Sequence, residues 1–257
     1  MSDSMRKTIP PEFGRCDIHQ CNLTDGLSDN VERQSNWDLE IYCEQCRSKE
    51  QEAVRVHELK LALERKADQY QIHQRNAGVP PRFIRASLDT FITDTVPQQE
   101  ILAVLKQFNK THGKDPSGLL LVGRLGTGKT FAGYALINAW LQTHHDALFV
   151  TALGLVRKVR DTWHSTETRE SKVIRLLATV GLLVIDEVGI QSCSANEHMI
   201  IADILNQRYE NLKPTVVIGN LTVAELTTIL GERAIDRFHE GGRVLSFTWE
   251  SRRKNIT

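Results

Sequence analysis

The sequence predicts an α/β fold in which a parallel sheet is covered by helices on both faces. Short apolar runs alternate with helical patterns, and a glycine-rich loop joins one apolar run to the helix that follows it. The predicted strands are residues 119–122, 147–152, 181–186, 215–220 and 243–249. The predicted helices lie near residues 97–112, 130–144, 153–164, 171–178, 195–212, 222–230 and 232–239.

The glycine-rich loop has the spacing of a phosphate-binding loop. It reads Gly123-Arg124-Leu125-Gly126-Thr127-Gly128-Lys129-Thr130 and directly follows an apolar strand run. Its glycines let backbone N–H groups surround a phosphate chain, Lys129 reaches the β- and γ-phosphates, and Thr130 offers a hydroxyl to Mg²⁺. The loop therefore predicts binding of a nucleoside triphosphate together with Mg²⁺.

Polar residues at the ends of two other predicted strands fit the same chemistry. The run 181–185 ends in Asp186 and Glu187. We expect Asp186 to hold Mg²⁺ together with Thr130, and Glu187 to polarise the attacking water. Asn220 ends another strand, on the side of a parallel sheet where ligands bind, and can hold that water against the γ-phosphate.

Length and charge limit the possible classes of protein. The chain has 257 residues, and its 32 basic and 32 acidic residues give a formal net charge of zero. This length suits one α/β domain with a small appendage, and the zero charge excludes a global attraction to nucleic acid or membranes. Residues 1–15 contain no continuous apolar stretch, so we expect a cytoplasmic protein without a signal peptide or a membrane span.

Cysteines cluster near the start of the chain and predict a small zinc-binding module over residues 1–46. Because disulfides are rare in cytoplasmic proteins, this clustering favours a metal site. Four-coordinate Zn²⁺ would take three cysteines together with either a histidine or a fourth cysteine. The three cysteines are Cys16, Cys43 and Cys46, and the fourth ligand is His19 or Cys21.

A helix is predicted between this module and the ATPase-like part of the chain. Apolar residues recur at three- and four-residue spacing over residues 47–78, and Gly78 followed by Pro80-Pro81 ends the pattern. The residues concerned are Val56, Leu59, Leu63, Ala67 and Tyr70. We favour a linker helix that lies on the next domain, 79–257, although the same pattern suits a helix that binds a partner.

Residues 153–164 are a candidate for contact with single-stranded DNA. The segment combines Arg157, Lys158 and Arg160 with Trp163, and basic groups follow phosphates while a tryptophan offers a stacking surface for a base. The alternative is an amphipathic helix with the apolar residues and Trp163 in the core and the basic residues solvated. The pattern alone does not separate the two.

Two arginines, Arg233 and Arg237, lie one turn apart in a predicted helix, and further arginines precede the end of the chain. Together with the phosphate loop, the block 182–189 and Asn220, they make residues 79–257 resemble the AAA+ ATPases of the DnaC-type replicative helicase loaders. The resemblance implies that Asn220 is the first sensor, that Arg237 is the finger reaching a neighbour's ATP, with Arg233 as the alternative, and that Arg253 is the second sensor. It also implies a five-stranded parallel sheet with little or no C-terminal lid.

The resemblance implies a function as well. Such a protein would use ATP and Mg²⁺, self-associate when ATP is bound, and deliver a DnaB-type replicative helicase onto single-stranded DNA. The phage- and prophage-like branch of these loaders often carries a cysteine-rich N-terminal module, and its Cys-x-x-His spacing favours His19 as the fourth zinc ligand. The alternative is a transposition-helper ATPase of the IstB type, which would be expected to carry a different N-terminal domain.

The zinc hypothesis predicts about one zinc ion per purified chain, because a single four-ligand site holds one ion. Cys43→Ser should lose the metal, and so should whichever of His19→Ala and Cys21→Ser removes the true fourth ligand. Elemental analysis of the purified variants measures this directly. Unchanged zinc content in Cys43→Ser would exclude the site.

Overall fold

The computed structural model describes residues 24–25, 41–42, 44–114, 117–144, 146–164, 170–189 and 195–251. Of these, only the backbone is described for residues 24–25, 41–42, 44–47, 50, 163–164 and 195–196. Two compact units divide the chain, Met1–Asp68 and Gln69–Thr257. Within the described ranges, no helix has the length and apolar character needed to cross a membrane.

The first unit contains a small antiparallel ladder and most of a long helix. Strand β1 (Thr24–Asp25) pairs with β2 (Ile41–Tyr42), and α1 spans Glu44–Asn76. Where the sequence predicts an apolar helix face, Val56, Leu59 and Leu63 are 55%, 56% and 67% exposed. The linker helix and the partner-binding alternative both stay predictions.

The last two turns of α1 pack within the second unit. Tyr70 is half-buried there, and Gln74 and Ala77 are each 1% exposed. At the end of the helix, the Phe149 N–H donates to the Ala77 carbonyl at 2.8 Å. The compact unit therefore begins some ten residues before the domain boundary that the sequence predicts near Gly78.

A five-stranded parallel sheet forms the centre of the second unit, as the sequence predicts. The strand order is β4-β5-β6-β3-β7, so the strand before the phosphate loop lies between β6 and β7. Its residues are apolar in runs because helices cover both faces, which leaves the central strands fully buried. The strands are β3 (Gly118–Gly123), β4 (Ala147–Thr151), β5 (Leu182–Val188), β6 (Thr215–Gly219) and β7 (Arg243–Phe247).

The seven helices predicted for this unit are also present. They are α2 (Val96–Lys110), α3 (Lys129–Leu141), α4 (Ala152–Arg160), α5 (Glu170–Thr179), α6 (Ala195–Glu210), α7 (Val223–Leu230) and α8 (Glu232–Glu240). Helix α4 is shorter than predicted, because residues 161–164 form a separate 3₁₀ turn. Helix α6 ends before Leu212, whose φ of 51° is left-handed and cannot continue a right-handed helix.

A buried arginine joins three segments on the side of the sheet where β5 and β6 begin. Arg208 of α6 is 0% exposed, and its guanidinium donates to the carbonyls of Leu177 and Val180 at 2.7 and 2.8 Å. It also donates to the Pro214 carbonyl at 2.7 Å and the Thr215 hydroxyl at 2.9 Å. Burial lowers the pKa of Arg208 to about 9, so the group remains charged at pH 7. This role was not predicted from the sequence, because an arginine near a helix end usually lies in solvent.

Arg208→Met should lower the free energy of unfolding by about 3 kcal/mol, because it leaves buried carbonyls without a donor. Urea unfolding of the variant and the parent chain measures the difference. Arg160→Met is the matched control: the Arg160 side chain is 55% exposed and contacts Glu197, and such surface pairs contribute up to about 1 kcal/mol. Equal stability of the two variants would contradict the structural role of Arg208.

Candidate nucleotide-binding site

The phosphate loop lies between β3 and α3, and glycines allow its shape. Gly128 has a φ of 99° and directly precedes α3, so the loop turns where L-residues with side chains are strained. Lys129 is 5% exposed, and its ammonium donates to the carbonyls of Gly123 at 2.7 Å and Arg124 at 2.6 Å. The loop thus holds a buried cation next to the N-terminus of a helix, which is a favourable place for phosphate.

Thr130 and Asp186 meet as the sequence predicts for a Mg²⁺ site. The Thr130 hydroxyl donates to the Asp186 carboxylate at 2.8 Å, although 56 residues separate the two in the chain. Burial raises the pKa of the Asp186 carboxyl, while its hydrogen bonds from Thr130 and Glu187 and the charge of Lys129 act in the opposite direction. A hydroxyl and a carboxylate are hard oxygen ligands of the type that Mg²⁺ prefers, so this pair fits the ion.

A β-bulge sets the direction of the next carboxylate. Ile185 pairs with Val217 and Val188 with Gly219, so three steps on β5 face two steps on β6. The extra residue lies at Asp186-Glu187, where Glu187 adopts a left-handed φ of 61°. Bulges frequently aim side chains at active sites, and Glu187 is exposed while Asp186 is buried. The bulge thus gives two adjacent carboxylates different surroundings, which suits the separate metal and water roles that the sequence predicts for them.

One cavity of about 290 Å³ collects these groups. Its lining includes five residues that the sequence predicts for the nucleotide site: Lys129, Thr130, Asp186, Glu187 and Asn220. The carboxyl ends of β3, β5 and β6 therefore converge on one position, where parallel sheets of this kind bind ligands.

The sequence did not predict the place of three residues near the loop. Arg82 and Phe83 line the cavity, although they lie some forty residues before the phosphate loop. Trp249, which follows β7, donates its indole N–H to the Thr127 carbonyl of the loop at 2.9 Å. Only the two prolines before Arg82 could have drawn attention to this segment, since they indicate a fixed, extended approach to the domain.

The arginines of α8 have different surroundings. Arg237 has a side chain only 13% exposed, and its guanidinium lies 2.5 Å from the Asn206 side-chain oxygen, 3.7 Å from the Glu210 carboxylate and 4.3 Å above the Tyr209 ring. Arg233, the alternative finger, is exposed. Arg253 lies outside the described residues.

On α4, the amphipathic pattern is confirmed. Leu155, Val156 and Val159 are buried, whereas Arg157 and Lys158 are exposed and Arg160 forms an ion pair with Glu197 at 2.9 Å. The side chain of Trp163 is not described. The basic residues are thus accessible, and their suitability for DNA remains a prediction.

The predicted zinc ligands lie almost entirely outside the described residues. Cys16, His19, Cys21 and Cys43 belong to parts of the chain that the structure does not describe, and Cys46 is described only by its backbone in α1. Among the described residues, no group of three or more His, Cys, Asp or Glu side chains is placed to hold a metal ion. The zinc site therefore stays a prediction.

Comparison with known proteins agrees with this geometry. The family model described as IstB-like ATP binding protein matches residues 43–256, which is most of the chain. The chain belongs to this family. It is 30% identical over 210 residues to the replicative helicase loader DnaC of Escherichia coli (strain K12), a match that covers 81% of this chain and 85% of that protein.

Two solved structures share the fold. The DnaC helicase loader superposes with a TM-score of 0.58 at 24% identity, covering 65% of this chain and 99% of that one. DnaI gives a TM-score of 0.54 at 22% identity, covering 67% of this chain and 93% of that one. The AAA+ ATPase fold expected from the sequence is therefore confirmed.

As a member of this family, the chain carries an ATPase site whose parts have separate tasks. The sequence predicts that Lys129 and the loop amides bind the phosphates, and that Glu187 accepts a proton from an attacking water that Asn220 orients. Thr130 and Asp186 would hold Mg²⁺, which when bound neutralises charge on the β- and γ-phosphates. Positioning and charge neutralisation account for most of the catalysis in such a site.

Substitutions at Lys129 and Glu187 should separate binding from hydrolysis. Lys129→Ala should lose most ATP binding, because it removes the fixed cation of the loop. Glu187→Gln keeps the shape of the side chain but removes the base, so ATP should still bind while turnover falls about 10²- to 10⁴-fold. Nucleotide titration and phosphate release measure the two effects. Normal turnover in Glu187→Gln would exclude Glu187 as the base.

Proposed function

We propose that the protein is an ATP-dependent loader that delivers a DnaB-type replicative helicase onto single-stranded DNA. The observation that carries the proposal is the similarity to DnaC loaders, which extends over 81% of this chain together with a complete nucleotide site. A family name shared with IstB-like proteins also suits a transposition helper. The similarity to DnaC favours the loader.

A loading assay tests this proposal directly. Purified helicase, circular single-stranded DNA and ATP are mixed with or without the chain, and DNA-bound helicase is quantified after gel filtration. The chain should increase the bound fraction, and Lys129→Ala should not, because it cannot bind ATP. Failure to bind or load the helicase, together with capture of a transposase in a parallel pull-down, would overturn the proposal in favour of the alternative.

We also propose that ATP-bound subunits associate side by side, with Arg237 completing a neighbour's site. The Arg237 side chain is 13% exposed and contacts Asn206, Tyr209 and Glu210 of its own chain, so reaching a neighbour's ATP would require these contacts to open. An arginine supplied by a neighbour contributes about 10³- to 10⁵-fold in rate in related phosphoryl transfer. Hydrolysis would then depend on assembly, which gives the loader a switch.

Mixing two inactive variants tests for an arginine acting in trans. Arg237→Ala retains its own phosphate loop, and Lys129→Ala retains its own finger. An interface should hydrolyse ATP when the Arg237→Ala subunit supplies the phosphate loop and the Lys129→Ala subunit supplies Arg237. Activity should therefore return partly on mixing. Arg233→Ala is the matched control, because it removes an exposed arginine one turn away. Absence of recovery in samples shown to co-assemble would mean that Arg237 acts within its own chain.

For single-stranded DNA, we propose that the exposed Arg157 and Lys158 of α4 contact phosphates, with Arg160 and Trp163 nearby in the sequence. Arg157→Ala/Lys158→Ala should weaken binding and reduce its salt dependence, because fewer counterions are released from the DNA. Fluorescence anisotropy with a labelled oligonucleotide at several salt concentrations measures both. An unchanged salt slope would place the DNA contact elsewhere.

We also propose that residues 1–46 form a zinc-binding module, and the β1–β2 pairing supports this. Thr24 pairs with Tyr42, so two chain segments that carry predicted ligands lie on either side of one ladder. Cys43 directly follows Tyr42 in the sequence, and Cys21 precedes Thr24 by three residues. This pairing supports a single zinc site with ligands from both segments.

A further inference from the structure

We propose that the buried side-chain amides of Gln74 and Asn138 position the wall of the nucleotide cavity that contacts the adenine base. The proposal needs only ATP binding by the family's site, and it does not depend on helicase loading. It assigns a positioning role to two residues that lie outside the phosphate loop and outside the carboxylate pair.

The two ends of the cavity have different chemistry. Lys129, Thr130 and Asp186 mark the phosphate end, so the lining from Arg82 and Phe83 is left for the ribose and base. Phe83 is half-buried, and the Arg82 guanidinium lies 5.4 Å from the centre of its ring. An aromatic face beside a guanidinium suits a flat purine ring.

Aromatic stacking supports this wall from behind. The Phe83 ring stacks on Tyr134 of α3 with centroids 4.4 Å apart and an interplanar angle of 16°. Tyr134 in turn stacks on Phe149 of β4 at 3.7 Å and 13°. The stack sets the spacing between the Phe83 ring and α3, and the backbone that carries Phe83 sets where the ring lies in its plane.

Side-chain hydrogen bonds hold the backbone that carries Phe83 in place. Residues Pro81–Phe83 form a single 3₁₀ turn, and the Phe83 carbonyl also accepts the Ala86 N–H at 3.0 Å. The Asn138 side-chain N–H₂ group donates to the Phe83 carbonyl at 2.9 Å and to the Ala86 carbonyl at 2.8 Å, and it lies 3.3 Å from the Ile84 carbonyl. One side chain thus holds the whole segment that carries the wall.

Gln74 determines which way the Asn138 amide faces. Its side-chain N–H₂ donates to the Asn138 side-chain oxygen and to the Ile84 carbonyl, both at 2.9 Å. Because the Asn138 oxygen accepts this bond, its nitrogen must face the carbonyls of the wall. Gln74 and Asn138 are 1% and 4% exposed, so water does not compete for these bonds.

Asn138 also connects the two ends of the cavity. It belongs to α3, and the same helix begins with Lys129 at the phosphate loop. Loss of the amide pair should therefore loosen the base wall while the phosphate loop remains in place. This separation distinguishes positioning of the base from a general loss of stability, which would weaken both ends.

The test compares two ligands that share a phosphate chain but differ in the base. Gln74→Leu removes the donor that orients Asn138, and the dissociation constant for MgATP should rise about five- to tenfold, as expected for one buried hydrogen bond. The dissociation constant for magnesium tripolyphosphate, which lacks a base, should change less than about twofold. Isothermal titration of the full chain measures both.

Gln98→Leu is the matched control for stability. Gln98 is also 4% exposed and uses its side chain to cap α2 by accepting from the Thr95 N–H at 3.1 Å, but it does not line the cavity. It should leave the ratio of the two dissociation constants unchanged. An equal loss of ATP and tripolyphosphate binding in Gln74→Leu, or an unchanged ATP affinity, would overturn the proposal.

A second variant covers the case in which Gln74→Leu does not fold. Gln74→Asn keeps a buried amide but shortens it by one methylene, so it should no longer reach both partners. We expect the same selective loss of ATP affinity, and the same two results would overturn the proposal.

Discussion

The hydrogen bond between the Thr130 hydroxyl and the Asp186 carboxylate is the contact on which the rest of the site depends. It joins the first turn of α3 to β5 across the intervening strand β6, and it is possible only because the sheet order brings these chain segments together. Burial of Asp186 makes the charged carboxylate costly, so the hydroxyl, the Glu187 N–H and Lys129 are needed to stabilise it. A metal ion bound there would serve the same purpose more strongly.

At the opposite ends of the strands, a buried arginine holds the sheet in register. Arg208 satisfies carbonyls from the end of α5 and the starts of β5 and β6, all in the absence of solvent. A charged group is suited to this place because one guanidinium offers five donors in a fixed plane. The carboxyl ends of the strands, where the nucleotide site lies, can then carry a bulge and a left-handed residue, since the strands are already aligned at their other ends.

The sequence predicted those features that depend on local patterns. Five strands, seven helices and the Thr130–Asp186 meeting follow from apolar runs, loop spacing and the convergence of parallel strands. The bulge at Glu187 was not predictable, because it is an irregularity in pairing between distant strands. Arg82, Phe83 and Trp249 were missed for a related reason, since they reach the site through tertiary contacts that no spacing records. Residues 1–46 carry a zinc-binding pattern of cysteines, which stays a prediction because the side chains of its ligands lie outside the described residues.

Helix α1 spans Glu44–Asn76, so the residue that orients Asn138 lies on the same helix as the exposed Val56, Leu59 and Leu63. Thermodynamic linkage gives this continuity a consequence in both directions. Suppose that a protein binds the exposed apolar residues of α1 and changes the affinity for ATP by displacing Gln74. ATP must then change the affinity of α1 for that protein by the same factor. Nucleotide occupancy would then change how tightly the helix binds its partner.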